Sequence, residues 1–249
     1  MVVIRTFVAM VLAGGAKAFV DFFISPELLH AEIHGVAAYL DVLGALYGIV
    51  LAFIIFVVWD QFNKVQIGVN QEASGWEDFS CSIVLLTDRE AVHSIKNALN
   101  QYLSDTVSDE PRKLEKLEPS TVSNESFHKL VQTVRGMKLN NPKDLALYKE
   151  ILRSLERITG IRDSRLSISH SRIPGTLWSL ILFASYAILA GFLCLGIRIP
   201  ALSVLTISGV AGCQYFLLAV IKDMDNPFDG EWNVSYAPFS KVITRVSTL

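Results

Sequence analysis

The stretch LYGIVLAFIIFVVWDQF at residues 46–62 decides the fold of this 249-residue chain. Its apolar part belongs to an uncharged run of 18 residues, 42–59, that lies between Asp41 and Asp60. A helix needs about 20 apolar residues to cross the hydrocarbon of a bilayer. The run therefore predicts a transmembrane helix, which becomes long enough when it begins near Gly35 and includes Asp41.

Two more uncharged runs follow late in the chain. They cover residues 173–197 and 199–221, and only Arg198 separates them. Pro200 stands just after this arginine, where a helix breaker fits a turn. The pair predicts a tight transmembrane hairpin.

The first segment, residues 2–24, permits two interpretations. It is apolar, but it contains Arg5, Lys17 and Asp21, and AGGAKA at 13–18 has the small-x-small pattern of a signal-peptidase site. The segment is either a first transmembrane helix or a cleaved signal, and its three charges favour the signal.

Charge is concentrated in the middle of the chain. Residues 60–172 hold 16 of the 22 Lys and Arg residues, although the whole chain is 51% hydrophobic and only 18% charged. Because Lys and Arg accumulate on the cytoplasmic side of membrane proteins, the middle region and the C-terminal tail should be cytoplasmic. The predicted regions are the first two spans (1–60), a helical region (61–172), the hairpin (173–221) and a tail (222–249).

The middle region has the apolar period of helices. Val65, Val69, Trp76, Phe79 and Ile83 recur at spacings of three, four and seven, so the second span should continue to about residue 103 as one helix. We expect a connector over 104–119, an N-cap at Ser123 and a further helix over 143–171. Helices with an apolar stripe and few partners favour packing against sister subunits.

Several functional classes lack support in the sequence. The middle region is balanced in charge and offers no basic footprint for nucleic acid. No catalytic motif is present, so the chain is not expected to be an enzyme.

The cysteines are isolated, at Cys81, Cys194 and Cys213. His30 and His34 are one helical turn apart, but zinc usually needs a third protein ligand, so capping or packing is favoured over a metal site.

One face of the second span suggests a function. It carries Tyr47, Leu51, Ile54, Val58 and Phe62, at spacings of 4, 3, 4 and 4. Periodicity alone favours an ordinary packing face. Copies of this face around an axis would instead form a hydrophobic neck that gates ions by dewetting, with a ring of Asp60 carboxylates near its inner mouth.

Five motifs in order carry a resemblance. They are His30, Glu32 and Gly35 in HxExxG, the stretch at 46–62, QEAS at 71–74, SRIPGTLW at 171–178 and DNPFDG at 225–230. Over residues 28–243 the chain resembles the bestrophin-like family of bacterial and plant membrane proteins. This family is distantly similar to the bestrophins, which are pentameric and mostly anion-selective channels.

The resemblance implies an all-α membrane protein with four transmembrane helices, a retained first helix and a cytoplasmic helical bundle. It also implies a homopentameric chloride channel whose second helix lines a hydrophobic neck, here placed at Ile54, Val58 and Phe62. Two alternatives stay open. A ring of Asp60 carboxylates would favour cations, and the same helices would also suit a non-conducting membrane scaffold that binds a partner.

The acidic segment KDMDNPFDGEW at 222–232 resembles the segment that follows the last bestrophin helix. Pro227 should end the helix, Gly230 should permit a turn, and Phe228 should pack against the bundle. In animal bestrophins a longer acidic run helps to bind calcium. Because calcium takes six to eight oxygens, the shorter run of Asp225, Asp229 and Glu231 favours helix termination over a calcium site.

Overall fold

The computed structural model describes residues 2–24, 33–138 and 141–248. These residues form nine α-helices and no strand, which confirms the predicted all-α class. The helices are α1 (Val2–Phe23), α2 (Ile33–Val84), α3 (Arg89–Ser108), α4 (Glu110–Glu115), α5 (Thr121–Arg135), α6 (Pro142–Ser169), α7 (Gly175–Leu193), α8 (Pro200–Asp225) and α9 (Ala237–Thr248).

Four of these helices, α1, α2, α7 and α8, are long and apolar enough to cross a membrane. The chain divides into two compact units. Residues 1–59 and 172–225 form the first, which we call the membrane unit, and residues 60–171 and 226–249 form the second unit. The 52 residues of α2 contribute to both units.

In the membrane unit, α1 packs closely along α8 because small residues stand where the helices meet. A Cβ atom added to Gly14 would lie 2.6 Å from the Ser208 Oγ atom, and one added to Gly212 would lie 2.6 Å from the Met10 Cγ atom. Small residues at such positions let transmembrane backbones approach and gain van der Waals contact.

The charges of α1 are tied to the hairpin. Lys17 is only 1% exposed. Its ammonium group donates hydrogen bonds to the carbonyl oxygens of Leu193 and Leu195, at 3.0 and 2.9 Å, and lies 2.8 Å from the Asp21 carboxylate. Asp21 also accepts a hydrogen bond from Ser203 at 3.1 Å. These two charges, which favoured a signal peptide in the sequence, therefore join α1 to the end of α7 and the start of α8.

The second unit contains an apolar core built on the second half of α2. Its buried members include Trp76, Phe79, Tyr102, Phe127 and Phe239. Trp76 packs edge-on against Phe79, with ring centroids 5.4 Å apart, and lies 5.3 Å from the Tyr102 ring. Helices α3 and α5 pack together, and α9 packs on α3.

Three local expectations for this unit are corrected. Helix α2 ends at Val84 rather than near residue 103, because the Asp88 side chain accepts hydrogen bonds from two backbone N–H groups and starts α3. The expected connector at 104–119 is partly helical, since α3 continues to Ser108 and α4 follows. The N-cap of α5 is Ser120 rather than Ser123, and Ser123 is buried inside the helix.

A buried ionic network crosses the core of the second unit. The Arg165 guanidinium lies between the carboxylates of Glu72 and Glu110, and its Nε atom is 2.8 Å from Glu72 Oε2. The Tyr102 hydroxyl donates to Glu72 at 2.5 Å, and the Tyr236 hydroxyl donates to Glu110 at 2.9 Å. Burial opposes the charged form of Arg165, but the two carboxylates outweigh it and raise the pKa of Arg165 well above its usual value.

A second arginine balances the charge of this network. Arg162 donates to the Tyr102 hydroxyl at 3.1 Å and to the Asn124 side-chain oxygen at 2.6 Å. Its guanidinium carbon is 4.8 Å from the centre of the Phe127 ring, within the range of a cation–π contact. The network thus contains two arginines and two glutamates, and burial, reinforced by the charge of Glu72, raises the pKa of the Tyr102 hydroxyl.

Two glycines of α2 allow α6 to approach closely enough for this network. A Cβ atom on Gly68 would lie 3.0 Å from the Arg165 Cβ atom, and one on Gly75 would lie 2.8 Å from the Ile158 Cγ1 atom. These glycines are seven residues apart and so fall on the same face of α2. The arginine side chain consequently passes α2 at Gly68 and reaches Glu72.

Replacing Lys17 with Met should destabilise the membrane unit by about 3 kcal/mol, because Asp21 would keep its charge without its buried partner. The measurement is thermal unfolding in detergent. Arg5→Met is the matched control, since Arg5 is exposed on the same helix. Equal unfolding temperatures for the two variants would contradict a structural role for Lys17.

Arg165→Met should cost about 3–5 kcal/mol of stability, since it leaves two buried carboxylates uncompensated. Arg153 on the same helix is paired with Glu150 at the surface, at 3.5 Å, and Arg153→Met should leave stability nearly unchanged. Chemical unfolding followed by tryptophan fluorescence would report both effects, because Trp76 donates to Glu72 at 3.3 Å. A small loss in Arg165→Met would argue against the network.

Candidate pore-lining helix

The face of α2 that was predicted to form a neck lies inside the subunit. Tyr47, Leu51 and Ile54 are 7%, 5% and 7% exposed. They pack in one apolar cluster with Ile181 of α7, Ile188 of α7 and Ile221 of α8. This is the packing role that periodicity alone favoured.

The remaining two neck positions are also covered. Val58 is fully buried. Phe62 belongs to the second unit, where it is partly buried against that unit's apolar core. In the structure, all five predicted positions therefore serve the interior of a single subunit.

The opposite half of α2 is exposed and divides into two stripes. The first stripe is uncharged and largely apolar, and it consists of Tyr39, Val42, Leu46, Phe53 and Val57. The other, which we call the Asp41 stripe, consists of Asp41, Ala45, Ile49, Ala52 and Phe56, all exposed. At about 100° per residue, the members of the Asp41 stripe fall within an arc of about 80°.

Asp41 is the unusual member of this stripe. It is the only charged residue between Gly35 and Trp59. Its side chain is exposed and forms no ion pair or hydrogen bond with any other residue that the structure describes. A carboxylate within an apolar span is costly when it faces lipid, which favours aqueous surroundings for Asp41.

Asp60 has a partner of opposite charge. The Lys64 ammonium lies 2.6 Å from its carboxylate, one helical turn along α2, and both side chains are about half exposed. Such a surface pair adds little stability, but it offsets the charge that a ring of Asp60 carboxylates would otherwise present.

The motif at the start of α2 lies largely outside the described residues. His30 and Glu32 fall within residues 25–32, outside the part of the chain that the structure describes. Gly35 is part of α2, where it is exposed and lines a shallow apolar cleft with Tyr39 and Gly191.

The acidic motif after α8 ends the helix as expected. Asp225 is the last residue of α8, and its Oδ1 atom accepts a hydrogen bond of 2.8 Å from the Ile173 backbone N–H, just before α7. Gly230 has a φ of 102°, a conformation that glycine adopts without steric cost. The Phe228 ring packs against the core of the second unit, 6.4 Å from the Tyr236 ring.

The backbone of this motif is also fixed by hydrogen bonds. The Pro227 carbonyl accepts from the Val234 N–H at 2.9 Å, and the Asn226 carbonyl accepts from the Asp229 N–H at 3.2 Å.

Within residues 2–24, 33–138 and 141–248, no group of three or more His, Cys, Asp or Glu side chains is arranged to hold a metal ion.

A family model described as the Bestrophin-like domain matches residues 8–239. The chain belongs to the bestrophin-like family. This confirms the resemblance inferred from the five ordered motifs. No curated protein matches this bestrophin-like chain.

Solved structures share the fold over almost the whole length. One crystal structure of a bacterial Bestrophin homolog from Klebsiella pneumoniae, which carries a mutation, has a TM-score of 0.75 and 11% identity, covering 100% of this chain and 98% of that one. A second mutated form has a TM-score of 0.73 and 12% identity, covering 99% and 100%. At such low identity the similarity establishes the fold alone.

Two features of the bestrophin-like chain were missed in the sequence. Glu72 lies inside the motif QEAS, but nothing local shows that it pairs with Arg165, which is 93 residues away. Asp41 was considered only as a charge that the second span includes. The sequence nevertheless singles it out, because it is the one charged residue in a 25-residue apolar segment from Gly35 to Trp59.

Asp225→Ala should lower the unfolding temperature, since it leaves the Ile173 N–H without its carboxylate partner. The expected loss is about 1–3 kcal/mol. Asp229 in the same motif is exposed and is the matched control, so Asp229→Ala should have little effect. Differential scanning fluorimetry in detergent would separate the two variants, and equal losses would argue against the Asp225 contact.

Proposed function

We propose that the protein is an oligomeric ion channel in which α2 of each subunit lines an axial pore with its Asp41 stripe. The observation that carries this proposal is Asp41 itself. It is exposed and unpaired among the described residues, on a helix that is otherwise uncharged from Gly35 to Trp59. Family membership and the shared fold support a channel architecture.

The two exposed stripes of α2 suit different surroundings. The uncharged stripe of Tyr39, Val42, Leu46, Phe53 and Val57 can face lipid or a neighbouring subunit without burying a charge. A charged side chain within a membrane helix is costly when it faces lipid, and such residues commonly face water-filled cavities. The Asp41 stripe is therefore the better candidate for the surface of α2 that faces an aqueous pore.

The same stripe supplies a hydrophobic neck. Ile49 and Phe56 are its two large apolar residues, 56% and 68% exposed. They are seven residues apart, which is about 10.5 Å along the helix. Rings of such side chains narrow a pore and can gate it by dewetting. A neck at Ile54, Val58 and Phe62 would instead require these side chains to leave the interior of the subunit.

The assembly is a homo-oligomer, and by resemblance to bestrophins it is a pentamer in a lipid membrane. The Lys and Arg residues of the middle region favour a cytoplasmic position for the second unit and the tail, in a multi-pass protein of a bacterial inner membrane, an organelle or a plasma membrane. Resemblance implies anion conduction, chloride included. The Asp60–Lys64 pair weakens the argument for a cation-selecting ring at Asp60.

The neck can be located by single-channel recording of purified protein in planar bilayers. Ile49→Thr and Phe56→Thr should raise conductance severalfold, because a polar side chain removes the dewetting barrier. Ile54→Thr is the matched control, since it should lower the unfolding temperature without raising conductance.

The outcomes distinguish the two faces of α2. Conductance that rises in Ile54→Thr and not in Ile49→Thr would return the neck to the face buried in the subunit. Absence of current from properly assembled wild-type protein would contradict the channel proposal and favour a membrane scaffold.

A further inference from the structure

We infer that Asp41 sets the ion selectivity of this pore: one copy from each subunit forms a ring of carboxylates that makes the channel cation-selective. The inference rests on the proposed function and gives it a substrate class. It differs from the anion conduction that the resemblance implies. Rings of Asp or Glu are a general means by which channels select cations.

The depth of Asp41 favours this role. The uncharged residues on either side of it extend from Gly35 to Trp59. This segment is about 37 Å long as a helix, whereas the hydrocarbon core is about 30 Å thick. Asp41 is six residues from the beginning of the segment, or about 9 Å. Its carboxylate therefore lies near the outer boundary of the hydrocarbon, where the low-dielectric walls of a pore focus its field.

No described cation offsets the charge of Asp41. The ammonium group of Lys17 in α1 is buried and is already bound to Asp21 and two carbonyl oxygens. Asp60, in contrast, has Lys64 at 2.6 Å. Of the two carboxylates that border the 18-residue run, only Asp41 thus contributes an uncompensated negative charge to the exposed side of α2.

The neighbours of Asp41 leave space for a hydrated ion. The next member of the stripe, one turn further along α2, is Ala45, and Gly48 and Ala52 follow on the same side. The large residues Ile49 and Phe56 come later, so the carboxylates precede the narrow neck. His34 is the other titratable residue on this side of α2 and is exposed.

The test is the reversal potential of purified protein in planar bilayers across a KCl gradient. Wild-type current should reverse close to the potassium potential. Asp41→Asn should move the reversal potential toward zero or the chloride potential, while Asp41→Glu should keep it near the wild-type value. The double variant Asp60→Asn/Lys64→Gln is the matched control and should leave the reversal potential unchanged, since it removes an ion pair whose net charge is zero.

A chemical rescue keeps the test independent of how well one variant assembles. Asp41→Cys is prepared in a chain whose three exposed native cysteines are replaced by Ser. A thiol reagent carrying a sulfonate should restore cation selectivity, and one carrying a trimethylammonium group should shift the pore toward anions. Opposite shifts from the same assembled channels can arise only from charge at position 41.

Two results would overturn the inference while leaving the channel intact. One is a wild-type reversal potential near the chloride value, and the other is a potassium-selective current that neither Asp41→Asn nor modification of Asp41→Cys alters. Absence of any wild-type current is a different result, because it removes the proposed channel itself.

Discussion

One side of α2 is buried from Tyr47 to Ile83, and the packing of both units depends on this constraint. Tyr47, Leu51, Ile54 and Val58 fill the membrane unit, and the same seam continues in the second unit through residues 65–83. Because these buried positions recur every three or four residues, they stay on one side of α2 and leave the other side free.

The buried seam contains one charged residue, Glu72, and the second unit is organised around it. A buried carboxylate requires a partner of opposite charge, which Arg165 provides, and further hydrogen bonds, which tyrosines provide. Gly68 leaves the room for that arginine. The position where α6 lies along α2 is thus specified by an ionic contact as well as by apolar packing, which could slide more easily.

Much of the fold was predictable because lipid imposes simple rules on length and charge. The apolar runs located the spans, and the turn before α6 fits Pro142, which stands at the first helical position. The candidate site was less predictable. An apolar face at spacings of 3 and 4 is identical in sequence whether it meets another helix of the same subunit or a copy around an axis. Only the positions of Ile181, Ile188 and Ile221 show which surface of α2 is occupied.

The contacts of Lys17 impose an order on the biogenesis of this protein. Its carbonyl partners at Leu193 and Leu195 are 176 and 178 residues further along the chain. At about 5–20 residues per second, a ribosome needs roughly 9–35 s to synthesise that distance. During this interval α1 has its ammonium group in or near the bilayer without its final acceptors. The late hairpin therefore completes the polar interior of a helix that was made first, and truncating the chain before α7 would leave α1 the least stable part of the membrane unit.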